Sequence, residues 1–171
     1  MNDNSYLQRM TKYVLPVLVS IFLHSVPSHA QDAGSKVKQI DSLVAAINRS
    51  NLKVQSDSIK QNQPLVGMSS KTYITIALDG KELKKYTTRI NMLMTEDGVT
   101  RQMNTSTIMY FDKGALIKVE EFTQKDDLSK AFDWYFESGK PLYYTLPPDE
   151  VADERAEFLL SMADTVLKRV Q

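Results

Sequence analysis

The chain has 171 residues, with 21 basic and 21 acidic side chains, two histidines and no cysteine. Balanced charge excludes a general electrostatic attraction to nucleic acid or to an anionic membrane surface. The missing thiol excludes disulfides, thiol redox chemistry and a cysteine-linked lipid anchor, so stability must come from an ordinary hydrophobic core.

The first segment, Met1 to Lys12, carries Arg9 and Lys12 against a single Asp3. An apolar run of 13 residues follows, Val14 to Val26. That length suits the h-region of a signal peptide and falls short of the ~20 residues that span a bilayer as a helix. Ser28 and Ala30 supply the small side chains a signal peptidase accepts. The pattern predicts a cleavable signal peptide over residues 1–30, an exported protein, periplasmic or secreted, that starts at Gln31, and no transmembrane segment after cleavage.

Cleavage has a chemical consequence. Both histidines, His24 and His29, leave with the signal. The remaining chain then has neither His nor Cys, which removes Ser-His-Asp and Cys-His catalysis, His/Cys zinc sites and haem ligation. The 141 residues left are the size of one domain, with 19 basic against 20 acidic side chains.

Residues 31–35 read as a flexible start. Val37, Ile40, Val44 and Ile47 then recur at helical spacing, predicting an amphipathic helix over 35–51 with Ser35 as its N-cap. Residues 52–71 are rich in Ser, Gln, Asn and Lys and read as a connector, with room for a short strand at Leu52–Val54 or a helical turn near Ser58.

From Thr72 the period becomes two. Ile74, Ile76 and Leu78 alternate with Tyr73, Thr75 and Ala77, and Asp79-Gly80 signals a hairpin turn of type I′. Further turns at Glu96-Asp97-Gly98, Asp112-Lys113-Gly114, Lys125-Asp126-Asp127 and Glu137-Ser138-Gly139 divide the segment 72–146 into six strands. Pro147-Pro148 ends the sheet. A last helix over 149–170 is capped by Asp149 and striped with Val151, Leu159, Met162, Ala163, Val166 and Val170. The expected fold is α+β: a single domain over 31–171, built as a six-stranded antiparallel meander with the N-terminal and C-terminal helices packed on one face.

Tyr110-Phe-Asp-Lys-Gly-Ala-Leu-Ile117 repeats at Tyr135-Phe-Glu-Ser-Gly-Lys-Pro-Leu142, 25 residues later. The motif reads as an aromatic strand end, a tight turn and a return strand. Such Tyr-Phe-x-x-Gly hairpins behind a signal peptide resemble those of small uncharacterised exported proteins of the Bacteroidetes, over Thr72 to Leu146. The resemblance implies no activity and no functional residue.

Paired acids are a remaining route to catalysis. Glu120 and Glu121 are neighbours on a strand and must point to opposite faces. An oxygen-only calcium site near Glu121, Asp126 and Asp127 lacks regular loop spacing. No catalytic residue, metal site or cofactor is therefore expected. The leading functional expectation is a non-catalytic binding module that uses the open face of its sheet. The residues expected to bind are Arg89, Asn91, Gln102, Asn104, Lys118, Glu120 and Tyr143. The expected partner is a protein, a peptide or a small amphipathic ligand. The alternatives are a carboxylate-based hydrolase acting on cell-envelope polymer and a structural or assembly protein.

Overall fold

The structure is a computed structural model; it describes residues 28–63, 67–96, 98–145 and 152–170. The helix α1 spans Ser28–Arg49, and the C-terminal helix α2 spans Ala152–Val170. Seven strands lie between them: β1 Lys53–Gln63, β2 Met68–Asp79, β3 Glu82–Glu96, β4 Val99–Asp112, β5 Ala115–Lys125, β6 Leu128–Glu137 and β7 Lys140–Tyr144. They form one sheet in the order β1 to β7, with every neighbouring pair antiparallel. The α+β class and the meander are as expected.

The strand count is not. Residues 53–63, expected as connector, pair with β2 over their full length, from Lys53 opposite Leu78 to Gln63 opposite Met68. The reason is positional. An edge strand with solvent on both faces needs no apolar alternation, only a partner for its backbone hydrogen bonds. Lys53, Asp57 and Lys60 also place charge along this edge, which discourages pairing with another chain.

The helix boundaries also differ. α1 begins at Ser28, so residues 31–35 are helical and Ser35 lies inside the helix rather than capping it. The expected cap Asp149 and Val151 lie outside the described residues.

The two helices cover opposite faces, not one. On α1, Ile40, Val44 and Ile47 pack against Tyr110 and Tyr135, with Ile108, Ile117 and Leu142 around them. On α2, Ala156, Leu159, Ala163 and Val166 pack against Met109, Phe111, Val119, Trp134 and Phe136. Strand side chains alternate between faces, so neighbours such as Met109 and Tyr110 must bury under different layers. Both faces of this end are apolar, and each needs its own cover.

The repeated motif builds this double-sided end. In each copy the register shifts just after the tyrosine, between Tyr110 and Phe111 and between Tyr135 and Phe136. Each copy then turns through two residues of positive φ, Lys113-Gly114 and Ser138-Gly139. That pair is the type I′ signature. At Gly80-Lys81 only Gly80 has positive φ, so that turn lacks the expected I′ pattern. The bulges let Ile117 and Leu142 join the tyrosines under α1.

α2 is tied to the sheet by polar contacts as well. The Trp134 indole N–H donates to Glu121 Oε2 at 2.9 Å, and the Arg155 guanidinium pairs with the same carboxylate. Beyond the reach of α2, the same face carries Met68, Met92, Met94 and Met103 on three neighbouring strands.

Candidate functional site

The face covered by α1 at one end is covered by no described helix across β1 to β4. Register assigns its positions. Ser58, Tyr73, Arg89 and Ser106 form one row across the strands, and Lys60, Lys71, Asn91 and Asn104 form the next. Alternation from Met68 to Ala77 and from Lys85 to Thr95 is unbroken, so each row shares one face.

Two adjoining cavities make this face a trough. One, of ≈ 690 Å³, is lined by Ser56, Tyr73, Thr75, Lys85, Thr87, Arg89 and Asn91, among others. The other, of ≈ 570 Å³, is lined by Lys60, Asn62, Ser69, Lys71, Asn91, Leu93 and Gln102, among others. Asn91 belongs to both. The side chains of Arg89 and Asn91 make no hydrogen bond or ion pair with another described residue. Tyr73 stands 38% exposed, and the Lys71 ammonium lies 4.4 Å from its ring centroid. Phe122 is exposed on the same face, opposite Ser106.

All seven residues expected to bind fall on this one face, but in two groups. Arg89, Asn91, Gln102 and Asn104 lie together in or beside the trough, with Gln102 Nε2 donating to Asn104 Oδ1 at 3.2 Å. Lys118, Glu120 and Tyr143 lie at the α1 end. Lys118 is 7% exposed, so the expectation that it stands on an open face is corrected. The α1 helix covers it because the Tyr110/Tyr135 surface beside it is apolar enough to require a lid.

Lys118 is the hub of a polar network beneath α1. Its ammonium lies 3.0 Å from Asp41 Oδ1, 3.3 Å from Glu120 Oε1 and 3.5 Å from Asp133 Oδ2. The Tyr135 hydroxyl donates to Asp41 Oδ1 at 3.0 Å, and the Tyr110 hydroxyl donates to Glu120 Oε2 at 3.1 Å. Asn48 bridges from α1, donating to the Tyr110 hydroxyl and accepting from Lys85 Nζ at 2.8 Å. Burial opposes the charge on Lys118, but hydrogen bonding with Tyr135 and Asp41 and the charge of Asp133 outweigh it and hold its pKa above the usual lysine value. Burial pushes the phenols of Tyr110 and Tyr135 up. Lys85 is pushed down, first by burial and then by the positive charge of Arg89.

This network gathers three carboxylates on one ammonium, as Lys84 gathers Glu82 and Asp112 at the β2–β3 end, and its chemistry is structural. A two-carboxylate hydrolase needs open space between its acids for a water or a scissile oxygen. Here an ammonium occupies the space between Glu120 and Asp133. Glu121, as expected, points to the other face, where Trp134 and Arg155 engage it. Among the described residues no group of three His, Cys, Asp or Glu side chains is placed to hold a metal ion.

Sequence reasoning missed the trough residues Lys60 and Lys71, and the network members Asp41, Asn48 and Asp133. Lys60 was invisible because β1 itself was. Lys71 carried a signal in the strict alternation of β2, which places it on the face of Tyr73. Asp41 and Asn48 are polar residues beside the apolar stripe of α1, which sequence alone reads as solvated.

No protein-family model, no curated protein and no solved structure matches the chain.

Proposed function

We propose that this chain is a non-catalytic binding module, exported by its N-terminal segment, that holds an extended hydrophilic ligand in the trough across β1 to β4. One observation carries the reading. The trough gathers polar and aromatic side chains, of which Arg89 and Asn91 are engaged by no described residue and Tyr73 stands exposed. Among the described residues, the carboxylates that converge elsewhere are taken up by Lys118 and Lys84. A long row of adaptable polar groups flanked by aromatic faces favours contact with an extended molecule over enclosure of a small one.

The test is a binding array of cell-envelope polysaccharides and extended peptides, read by biolayer interferometry on the full chain. At least one probe is expected to bind, with Tyr73→Ala and Asn91→Ala each weakening it fivefold or more. Thr105→Ala, on the opposite face by its register with Ile90, is expected to leave it unchanged. A bound probe indifferent to both trough substitutions overturns the reading, and so does release of hydrolysed product. Export is tested separately by mass spectrometry of the protein recovered from its native host; an N-terminus still at Met1 refutes it. Among the described residues, no helix is long and apolar enough to cross a membrane.

A further inference from the structure

The charges of the trough are one-sided. Lys60 and Lys71 are direct cross-strand partners on β1 and β2. Arg89 follows on β3, diagonal to Lys71, whose own partner is Asn91. Like charges placed directly opposite on an antiparallel pair destabilise it. No described residue forms an ion pair that relieves them. Within residues 53–63, 68–77, 85–95 and 99–110 the only acid is Asp57. It borders the cavity at Tyr73, but by its register with Ile74 it belongs to the other face, and its carboxylate accepts the Ser58 N–H at 2.7 Å. Lys60, Lys71 and Arg89 form no ion pair with a described residue. The edge-guarding role of charged side chains explains Lys60, but it does not explain Arg89, two strands inside the edge.

We infer that the ligand of the trough is an acidic polysaccharide whose oxyanions are held by Lys60, Lys71 and Arg89. The inference rests on the reading of the trough as a ligand site. Strands spaced ~4.8 Å apart spread these three cations over roughly 10 Å, the reach of a polymer bearing repeated charges rather than of one ion. The Arg89 guanidinium offers a fork for bidentate oxyanion contact, and the lysines offer compact charges. Between them Asn91 presents an amide that both donates and accepts, as a hydroxyl-rich sugar demands. Tyr73 and Phe122 flank the row at Arg89 with exposed rings against which a sugar face can stack. Bound oxyanions turn the Lys60–Lys71 repulsion into a bridge.

The experiment is calorimetric titration of the full chain with oligogalacturonate as the carboxylate probe, dextran sulfate as the sulfate probe, neutral dextran and polyglutamate. Oligogalacturonate or dextran sulfate is expected to bind, and the tighter of the two identifies the anion. Three contacts imply a loss of roughly tenfold or more between 50 and 200 mM salt, by analogy with the counterion release of other polyanions. The double variant Lys60→Gln/Lys71→Gln is expected to weaken binding at least tenfold while its Tm holds or rises, because the repulsion is gone. Arg89→Gln is expected to weaken it severalfold. Equal binding of neutral dextran, with the trough still responsible, overturns the acidic ligand and leaves the trough reading standing. Tighter binding of polyglutamate overturns the polysaccharide. Acidic glycan binding untouched by these substitutions overturns the site, and so does the absence of any binding to the two acidic glycans.

Discussion

Removing the Lys118 charge is the sharpest test of how α1 is held to the sheet. Lys118→Met keeps the length and the apolar stem of the side chain and deletes the ammonium shared by Asp41, Glu120 and Asp133. Removing one partner of a fully buried ion pair costs ~3–5 kcal/mol, and exposed pairs are worth at most about 1 kcal/mol. Lys118 is buried, but its three carboxylates are 34–47% exposed, so water screens much of the loss. An intermediate cost of about 2 kcal/mol follows, including the cation lost from its place 4.8 Å from the Tyr135 ring centroid. In a chain of this size that lowers Tm by roughly 6 °C. The mechanism also fixes a pH signature. Without the ammonium, three carboxylates crowd one another, a repulsion that lasts only while they are charged. The deficit against wild type, measured by thermal melts across pH 4 to 8, is therefore expected to shrink as pH falls. Adding Glu120→Gln to Lys118→Met is expected to recover part of the loss at pH 7. A deficit below about 0.5 kcal/mol, or one constant across that pH range, would refute the electrostatic account and leave packing as the cause.

Three further outcomes follow from the same contacts. Glu121→Ala strips the fully buried Trp134 of the acceptor for its indole N–H and frees Arg155, and is expected to cost about 1–3 kcal/mol in urea denaturation; an unchanged midpoint would show that the tie between α2 and the sheet is dispensable. Gly67 has φ of 60°, and a Cβ there would meet the Thr95 carbonyl oxygen at 2.5 Å, so Gly67→Ala is expected to cost about 2 kcal/mol or more and to loosen amide protection at Thr95, whose N–H donates to the Gly67 carbonyl. Stability is expected to fall as pH rises above about 10. Lys118, Tyr110 and Tyr135 all have folded pKa values raised above their ordinary ones, so each stabilises the fold while protonated and loses that contribution as pH climbs through its folded value. Lys85, whose pKa is lowered, works in the opposite sense and blunts the fall, so the steepest loss is expected in the Lys85→Gln variant.

The sequence displayed the parts of the fold that local physics dictates. Strands β2 to β6 announced themselves because each carries residues buried on at least one face, and β7 by the turn before it, which like that at Lys113-Gly114 demands positive φ at Ser138-Gly139. β1 did not, because an edge strand whose side chains all meet solvent has no hydrophobic period to show. The placement of the helices was hidden for a different reason. Tyr110 and Tyr135 read equally well as exposed sheet aromatics or as core, and only the bulge after each one gathers enough apolar surface on that face to hold a helix. The site was half visible on the same grounds. Arg89, Asn91, Gln102 and Asn104 share a face because strand parity alone decides it. Lys118 left the expected surface because parity says nothing about what arrives to cover a face.

α1 therefore does two jobs that the sequence kept apart. Its apolar stripe closes one core, and its polar flank reaches the trough, since Asn48 accepts from Lys85, which lines the cavity beside Arg89. The carboxylates Asp41, Glu120 and Asp133 are held at the covered end, while Lys60, Lys71 and Arg89 remain on the uncovered floor. Helix docking thus sorts the charges of one sheet face. Acids that would repel an acidic ligand are paired beneath α1, and the cations that would attract it are left facing water. This link makes the helix a contributor to the trough, and it has a measurable form. Asn48→Ala removes a contact that restrains Lys85 without touching the trough floor, and is expected to weaken oligogalacturonate binding by a few fold at most, whereas Lys60→Gln/Lys71→Gln weakens it tenfold. Equal losses from the two would mean that the α1 end, rather than the cationic floor, holds the ligand.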